Sequence, residues 1–248
     1  MAANAEDLLR VWEDNQRAHP VRRALQALAA ASPETDRDAW AHAPIGVRDR
    51  ALLRLQEELF GSELHTTTHC PSCGERIESE FSVRDIGGHA DQQAMPAAAA
   101  PSRVQAHGFE IEYRLPTSED LLQIAAEHGD AAGDAARLLR RCVSDAQRSG
   151  AAVDPAALPA SLIDRITEGM AAQDPDADVR VGLACPACGT AWSLRFDIVS
   201  YFWSELDDWA QRMLADVHTL ARAYGWSERD ILVMSATRRQ IYLEMVSG

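Results

Sequence analysis

The 248-residue sequence contains no lysine, so all 24 of its basic residues are arginine. The absence of lysine excludes the lysine-dependent phosphate-binding loop, and it excludes catalysis through a lysine Schiff base. The 38 acidic residues give the chain a formal net charge of −14. We therefore expect no nucleic-acid partner, because binding to a phosphate backbone depends on clustered cations.

Long apolar runs are also missing, and cysteine is scarce. No stretch approaches the roughly 20 apolar residues that a membrane-spanning helix needs, so we expect no membrane partner. The sequence has five cysteines and no recognisable leader peptide, which favours a reducing cytoplasm. A chain of this length can bury a substantial core.

Four of the cysteines fall in one motif, which occurs twice. Residues 70–74 read Cys-Pro-Ser-Cys-Gly and residues 185–189 read Cys-Pro-Ala-Cys-Gly. Each copy predicts a tight turn that aims two thiols at one point, as a tetrahedral metal ion requires. Two such pairs complete a four-thiolate set, which is the usual closed structural zinc site. We therefore predict one structural Zn²⁺ per chain, bound by Cys70, Cys73, Cys185 and Cys188.

The residues around the two cysteine pairs repeat as well, since residues 65–83 can be laid over residues 180–198. Apolar and polar residues alternate near the end of each copy, which is typical of a half-buried strand. Each pair is therefore predicted to form the tip of a β-hairpin, and two hairpins across one ion form a zinc ribbon. An ordinary ribbon separates its pairs by roughly 15–20 residues, so this ribbon is split by a long insertion. The corresponding apolar positions are Ile77 and Trp192, Phe81 and Phe196, and Val83 and Ile198.

Other interpretations of these residues stay open at this point. The four thiols could be free in a reducing cytosol, or they could carry out thioredoxin-like redox chemistry. His65 and His69 lie close enough in sequence to replace a cysteine ligand, although exposed hairpin positions suit them better. The fifth thiol, Cys142, falls in a helical pattern and is expected to pack in the core.

The pattern along the chain predicts a mostly helical α+β fold. The expected helices include residues 46–60, with Arg48, Asp49, Arg50 and Arg54 on a polar face that is either solvated or a docking surface. Caps are predicted at Thr117 with Asp120, at Ser161, and at Ser227 with Asp230. The expected segments are N-terminal helices at 1–62, the first half of the ribbon at 63–86, a linker and inserted strand and helix segment at 87–177, the second half of the ribbon at 178–199, and a C-terminal helical hairpin at 200–248.

Two further expectations concern the later part of the chain. Asp134 to Arg148 is predicted as one helix, and a single helix is predicted to follow Gly225. Trp203, Trp226 and Tyr242 are expected either to pack in the core or to face a partner, because aromatic residues are favoured at the centres of interfaces.

Several of these stretches, in this order, resemble one protein family. They are 48–53, 59–61 and 70–75 in the first half, 115–121 in the middle, and 217–227, 231–232 and 238–243 at the end. The family is the T4-like phage baseplate (hub assembly) proteins of contractile phage tails and extracellular contractile injection systems. The resemblance implies other baseplate, hub or spike proteins as partners. It also implies production in the cytoplasm, with the assembled tail particle as a second location.

The leading hypothesis is a non-enzymatic baseplate assembly factor or structural subunit that uses a structural zinc site and helical surfaces for protein contacts. The alternative is a zinc ribbon that binds nucleic acid or assists transcription, which the acidic charge disfavours. An enzyme is not expected, because no catalytic constellation is visible. A closed four-cysteine site also leaves no coordination position for a reacting water.

Overall fold

A computed structural model describes residues 4–86, 100–127 and 129–247. Within these ranges the protein is a mixed α+β structure in which helices dominate, as predicted. Most of the predicted linker at 87–102 lies outside the described residues. No helix among the described residues is long and apolar enough to cross a bilayer.

The N-terminal part is helical, and the first hairpin follows it. Its helices are α1 Ala5–Asp14, α2 Pro20–Ala31, α3 Arg37–His42 and α4 Ile45–Phe60. Strands β1 Glu63–His69 and β2 Arg76–Ser82 then pair antiparallel, and a short helix α5 follows at Val83–Ile86. This order confirms the predicted hairpin directly after α4.

The inserted segment combines a small sheet with three helices. Its elements are β3 Ser102–Ala106, β4 Phe109–Tyr113, α6 Ser118–Ala126, α7 Ala131–Cys142, β5 Val143–Arg148, β6 Ala151–Ala152 and α8 Ala160–Gln173. The four strands form an antiparallel sheet in the order β3-β4-β5-β6. Leu162 and Ile166 of α8 are fully buried in the same cluster as Phe109 and Ile111 of β4, so helix and sheet share a core.

The second hairpin and three helices complete the chain. They are β7 Arg180–Ala184, β8 Ala191–Arg195, α9 Ile198–Tyr224, α10 Glu228–Leu232 and α11 Ala236–Ser247. Helix α9 begins at the cap Asp197, whose carboxylate accepts hydrogen bonds from two backbone amides. It ends at Gly225, which has a left-handed φ of 70° that glycine adopts without steric cost.

The main hydrophobic core is built around the first half of α9. Phe202 and Leu206 of α9 pack with buried leucines of the N-terminal helices, including Leu25 and Leu52. The indole N–H of Trp12 also donates to Asp207 at 2.7 Å, which anchors α1 to α9. Val83 and Ile198 belong to the same core, so the ends of both hairpins are fixed to it.

A buried polar network joins α4 to the inserted segment. Arg48 is 4% exposed, contacts Asp49 at 2.6 Å, and donates to the Ser118 hydroxyl at 3.1 Å. The predicted solvated face is therefore wrong for Arg48. Periodicity assigns charges to the surface, but a buried charge is tolerated when it is paired and hydrogen-bonded. Arg50 is also engaged, since it lies 2.6 Å from Asp176.

Gly46 allows this network to close. Its amide donates to Asp174 Oδ2 at 2.9 Å. A β-carbon at position 46 would lie only 2.0 Å from Asp174 Oδ1. Any side chain at position 46 would therefore push α4 away from the segment that follows α8. Next to it, the Ile45 amide donates to the Pro116 carbonyl at 3.1 Å. The two family-like stretches around residues 48 and 117 therefore contact each other.

Three predicted helix boundaries are wrong. The helix expected over Asp134 to Arg148 ends at Cys142, and Val143–Arg148 forms β5, because pairing with β4 overrides the local helical pattern. Helix α8 begins at Ala160 after Pro159 and has no side-chain cap, so Ser161 lies inside its first turn. The helix expected after Gly225 is divided, because the Ser235 hydroxyl accepts from the Arg238 amide and starts α11 anew.

Candidate metal centre

The four cysteines of the repeated motif lie together between the two hairpins. Sγ of Cys70 is 3.6 Å from Sγ of Cys188, and Sγ of Cys73 is 3.7 Å from Sγ of Cys185. All four sulfurs lie within 4.8 Å of one another. The members of each close pair are more than 110 positions apart in sequence, so only the tertiary fold brings them together.

The two hairpin tips have the same local geometry. In the first, the Cys70 amide donates to the Glu75 carbonyl at 2.8 Å, and the Gly74 amide donates to the Cys70 carbonyl at 2.9 Å. The second tip repeats both bonds at 2.9 Å, through Cys185, Gly189 and Thr190. The glycines have left-handed φ values of 76° and 73°, which is the conformation that turns the chain back after the second thiol.

Burial of the four thiols follows the same pattern in both hairpins. Cys70 and Cys185, the first cysteine of each pair, are buried, whereas Cys73 and Cys188 are exposed. Each close pair therefore joins a buried thiol of one hairpin to an exposed thiol of the other. Ile77 and Trp192 pack beside the two buried cysteines.

A second contact between the hairpins lies farther from the cysteines. The rings of Phe81 and Phe196 meet edge to face, with centroids 5.5 Å apart and planes at 86°. These residues occupy corresponding positions in the sequence repeat. Residues that correspond in the two copies of the repeat therefore contact each other where the two hairpins meet.

The sulfur spacing fits a tetrahedral thiolate-binding ion. With metal–sulfur bonds of about 2.3 Å, the edge of the tetrahedron is about 3.8 Å, close to the 3.6 Å and 3.7 Å found here. The same distances are much longer than the roughly 2.05 Å of a disulfide, and all four thiols are free. The donor set can therefore hold a metal ion that prefers sulfur ligands.

The pKa values of the two exposed thiols, Cys73 and Cys188, are shifted in opposite directions. The Thr190 hydroxyl lies 3.2 Å from Sγ of Cys188 and, with the Thr190 backbone, lowers the pKa of Cys188 to about 6. A backbone hydrogen bond at Glu75 lowers the pKa of Cys73, but hydrogen bonds with Cys188 and the other thiols outweigh it and raise that pKa to about 12. Several thiolates so close together repel one another, so a cation between them is needed for all four to ionise.

The other candidate residues lie outside this cluster. Among the described residues, the group that could hold a metal ion consists of the four cysteines alone, and neither His65 nor His69 belongs to it. Each cysteine pair is followed by a strand, which disfavours a thioredoxin-like site, where the motif opens a helix. Cys142 is 1% exposed, and burial raises its pKa to about 11, so this thiol packs in the core as predicted.

Comparison with known proteins identifies the family. The family model of the T4 bacteriophage base plate protein matches residues 3–203. The chain belongs to this family. No curated protein and no solved structure matches it.

The match to the base plate family covers the N-terminal helices, both hairpins and the inserted segment, and it ends within α9. All four clustered cysteines therefore lie inside it. The family-like stretches beyond residue 203, which include 217–227 and 238–243, lie outside it.

The three aromatic residues that were expected at a core or an interface have different environments. Trp203 packs against the main core, with the Arg23 guanidinium 4.4 Å from its ring. Trp226 stacks on Tyr224 at 4.4 Å and meets Tyr242 edge to face at 4.8 Å. Tyr224 is the last apolar position of the helical pattern that predicts α9, and it lies at the corner where that helix ends at Gly225.

Proposed function

We propose that this chain is a non-enzymatic assembly factor or structural subunit of a contractile tail baseplate, fastened by one structural Zn²⁺. The observation that carries the proposal is the meeting of four thiols within 4.8 Å of one another, from two hairpins far apart in sequence, in a member of the T4 base plate family. The ligands would be Cys70, Cys73, Cys185 and Cys188, and the two hairpins would then form a split zinc ribbon.

Zinc would act in this protein as a fastener. A structural Zn²⁺ contributes its binding free energy to folding, because its site does not exist in the unfolded chain. Each hairpin here has only two strands, which are marginally stable alone. A closed set of four thiolates leaves no place for a reacting water, which supports a non-enzymatic role.

Protein partners are favoured over nucleic acid by the charges on the hairpins. Arg76 lies 2.9 Å from Glu78, and Arg180 and Arg195 both contact Asp178. These arginines are compensated by carboxylates, whereas phosphate binding requires an excess of cations. The partners we propose are other baseplate, hub or spike proteins, which the chain would meet in the cytoplasm of the producing cell or in the tail particle.

Metal analysis tests the site. We expect the purified protein to contain one Zn²⁺ per chain by mass spectrometry of the metal. Serine at any one of positions 70, 73, 185 and 188 should lower that occupancy strongly. Cys142→Ala is the matched control, because Cys142 is a buried cysteine outside the cluster. A folded, metal-free wild-type protein would reject the zinc site.

Deletion of the gene tests the role in the tail. We expect cells without this chain to produce no complete baseplates in electron micrographs, and wild-type protein supplied from a plasmid to restore them. A Cys70→Ser variant should restore them poorly. Normal tails in the deletion strain would reject the proposed function.

A further inference from the structure

A cavity of about 430 Å³ lies where the N-terminal helices, the inserted segment and the second hairpin meet. Its volume falls within the range of pockets that bind ligands. The wall is mostly apolar, and it includes Leu53 of α4, Leu121 of α6, Leu138 of α7 and Ile198 of α9. The four clustered cysteines, all of which the structure describes, do not line it. The apolar stem of a ligand would gain free energy by burial here.

The cavity wall carries a carboxylate with one uncommitted oxygen. Asp49 lines the cavity, and Arg48 reaches its Oδ1 from Nε at 2.7 Å and from a terminal guanidinium nitrogen at 2.6 Å. Oδ2 of Asp49 accepts no hydrogen bond from any residue that the structure describes. The Asp49 side chain is 14% exposed, so it is largely removed from water and still reachable. A ligand that donates to Oδ2 would recover part of the cost of removing that oxygen from water.

The charged groups close to Asp49 leave one carboxylate in excess. The buried and half-buried members are two guanidiniums and three carboxylates, those of Arg48, Arg50, Asp49, Asp174 and Asp176. The positive N-terminal end of α4, where the Gly46 amide donates to Asp174, offsets only about half of that charge. The exposed rim adds no net charge, because two guanidiniums there match two carboxylates, those of Arg180, Arg195, Asp178 and Asp197. A monocation therefore suits the cavity better than a neutral or anionic group.

The pKa of Asp49 reflects the same imbalance. Burial raises this pKa to about 6 against the opposing effect of Arg48, and the charges of Asp197 and Asp174 also act to raise it. A cation beside Oδ2 would reverse that effect, because a nearby positive charge favours the ionised carboxylate. Binding of a cation and ionisation of Asp49 should therefore be linked.

The cationic group that fits Oδ2 is an ammonium. A guanidinium binds both oxygens of a carboxylate through its planar fork, and Arg48 already occupies Oδ1. An ammonium is a compact charge that needs one oxygen, and lysine carries it on an unbranched apolar stem. This chain contains no lysine, so neither its own side chains nor those of a second copy can supply the group.

We propose that this cavity binds a lysine side chain of another protein, with the ammonium on Oδ2 of Asp49 and the stem against the apolar wall. The choice of a protein as the source of the lysine rests on the proposed function, because an assembly factor or structural subunit acts through protein contacts. The chemistry of the cavity depends neither on that function nor on the zinc site.

Small lysine analogues test the cavity in the intact chain. Nα-acetyl-lysine methylamide is titrated against the protein, and nuclear magnetic resonance follows the carboxyl carbon of Asp49. The norleucine analogue, which lacks the ammonium, is the matched control, and the arginine analogue and n-butylammonium are titrated in parallel. We expect the lysine analogue to bind at least tenfold more tightly than the norleucine analogue and several-fold more tightly than the arginine analogue. It should also lower the pKa of Asp49.

Three variants locate the binding. Asp49→Asn should abolish the preference for the lysine over the norleucine analogue. Leu138→Trp should weaken binding of the lysine analogue at least tenfold, because the larger side chain occupies the cavity. Asp164→Asn is the matched control, since it removes the same charge from an exposed position on α8, and it should bind as the wild type does. Circular dichroism checks that each variant folds.

Each remaining outcome contradicts a stated part of the proposal. Equal binding of the lysine and norleucine analogues, or binding of neither, rejects the lysine site. An arginine analogue that binds as tightly as the lysine analogue rejects the choice of an ammonium. Binding of n-butylammonium without the lysine analogue rejects a protein as the source.

Equal affinities in Asp49→Asn and Asp164→Asn would reject Asp49 as the group that holds the ammonium. If Asp49→Asn does not fold, the wild type decides, because an unchanged Asp49 pKa at saturating lysine analogue rejects the proposal. Zinc content and tail assembly are measured separately, so these results leave the proposed function standing.

Discussion

Two aspartates perform the same capping role in very different surroundings. Thr117 with Asp120 and Ser227 with Asp230 both form reciprocal capping boxes, as the sequence predicted. Asp230 is exposed, whereas Asp120 is 2% exposed and also contacts Arg114 at 2.6 Å and Arg141 at 3.2 Å. Burial raises the pKa of Asp120, but hydrogen bonds from Arg114 and Thr117 outweigh it and lower that pKa to about 2.

We expect Asp120→Asn to lower the free energy of unfolding by about 2–3 kcal/mol at pH 7, because two arginines lose a charged partner but are exposed enough to be partly rehydrated. Asp230→Asn is the matched control and should cause a smaller loss. Urea denaturation followed by circular dichroism measures both. The Asp120 contribution should be present above pH 4 and disappear as the pH falls towards 2, since the pKa is lowered in the folded state. Equal losses in the two variants would contradict this interpretation.

Asp49 shows the opposite behaviour. Burial raises its pKa to about 6, although Arg48 opposes the shift. A raised carboxyl pKa stabilises the folded state at low pH, and that stability is lost as the pH rises from about 4 through about 6. The carboxyl carbon of Asp49 should titrate near pH 6 by nuclear magnetic resonance.

Because asparagine does not ionise, Asp49→Asn should lack this loss of stability. The difference in unfolding free energy between the variant and the wild type should therefore shrink by up to about 3 kcal/mol between pH 4 and pH 7. Urea denaturation at both pH values measures it. A constant difference would show that Asp49 titrates normally.

At the scale of elements, the two hairpins contact each other in two places. The thiol cluster lies at their tips, and Phe81 meets Phe196 farther down. An edge-to-face aromatic pair contributes roughly 0.5–1.5 kcal/mol beyond the area that it buries. The two phenylalanines should therefore be coupled energetically.

A double-mutant cycle measures this coupling. Phe81→Ala and Phe196→Ala together should destabilise the protein by about 0.5–1.5 kcal/mol less than the sum of the single changes. The control cycle combines Phe81→Ala with Phe109→Ala, because Phe109 lies in the other core cluster. That cycle should be additive within about 0.5 kcal/mol. Additivity in both cycles would show that the Phe81–Phe196 contact carries no coupling.

The elements that could be predicted are those whose local signals agree with the fold. The cysteine repeat gave both hairpins, and the caps at Thr117 and Ser227 gave the starts of α6 and α10. Strand β5 could not be predicted, because Val143 and Ala146 become a strand only through pairing with β4. Arg48 could not be placed either, since the partner that buries it, Ser118, is 70 positions away.

At the scale of the whole molecule, the described residues form two large hydrophobic cores and two smaller clusters. The main core contains Leu64, Val83 and Ile198, which lie in or next to the hairpins, whereas the second core joins β4 and β5 to α8. Loss of the proposed metal should therefore destabilise the hairpins more than the inserted sheet. We expect the hairpins and the beginning of α9 to depend on the site, because among the described residues the inserted sheet packs in a different cluster from the cysteines.

Hydrogen exchange before and after removal of metal by a chelator tests this difference. Amides of β1, β2, β7 and β8 should exchange much faster in the metal-free protein. Amides of β4 and β5 should keep most of their protection, because their core is separate. Uniform loss of protection would show that the protein unfolds as a single unit.

The distance in sequence between the two cysteine pairs determines how long translation takes to reach the second pair after the first. Cys73 and Cys185 are 112 positions apart, and a ribosome that adds roughly 5–20 residues per second needs roughly 6–22 seconds to travel between them. Throughout that interval the nascent chain carries half of a coordination sphere. A polypeptide that stops before Cys188 lacks part of the proposed ligand set, so zinc binding would distinguish chains that extend past the second cysteine pair from shorter ones.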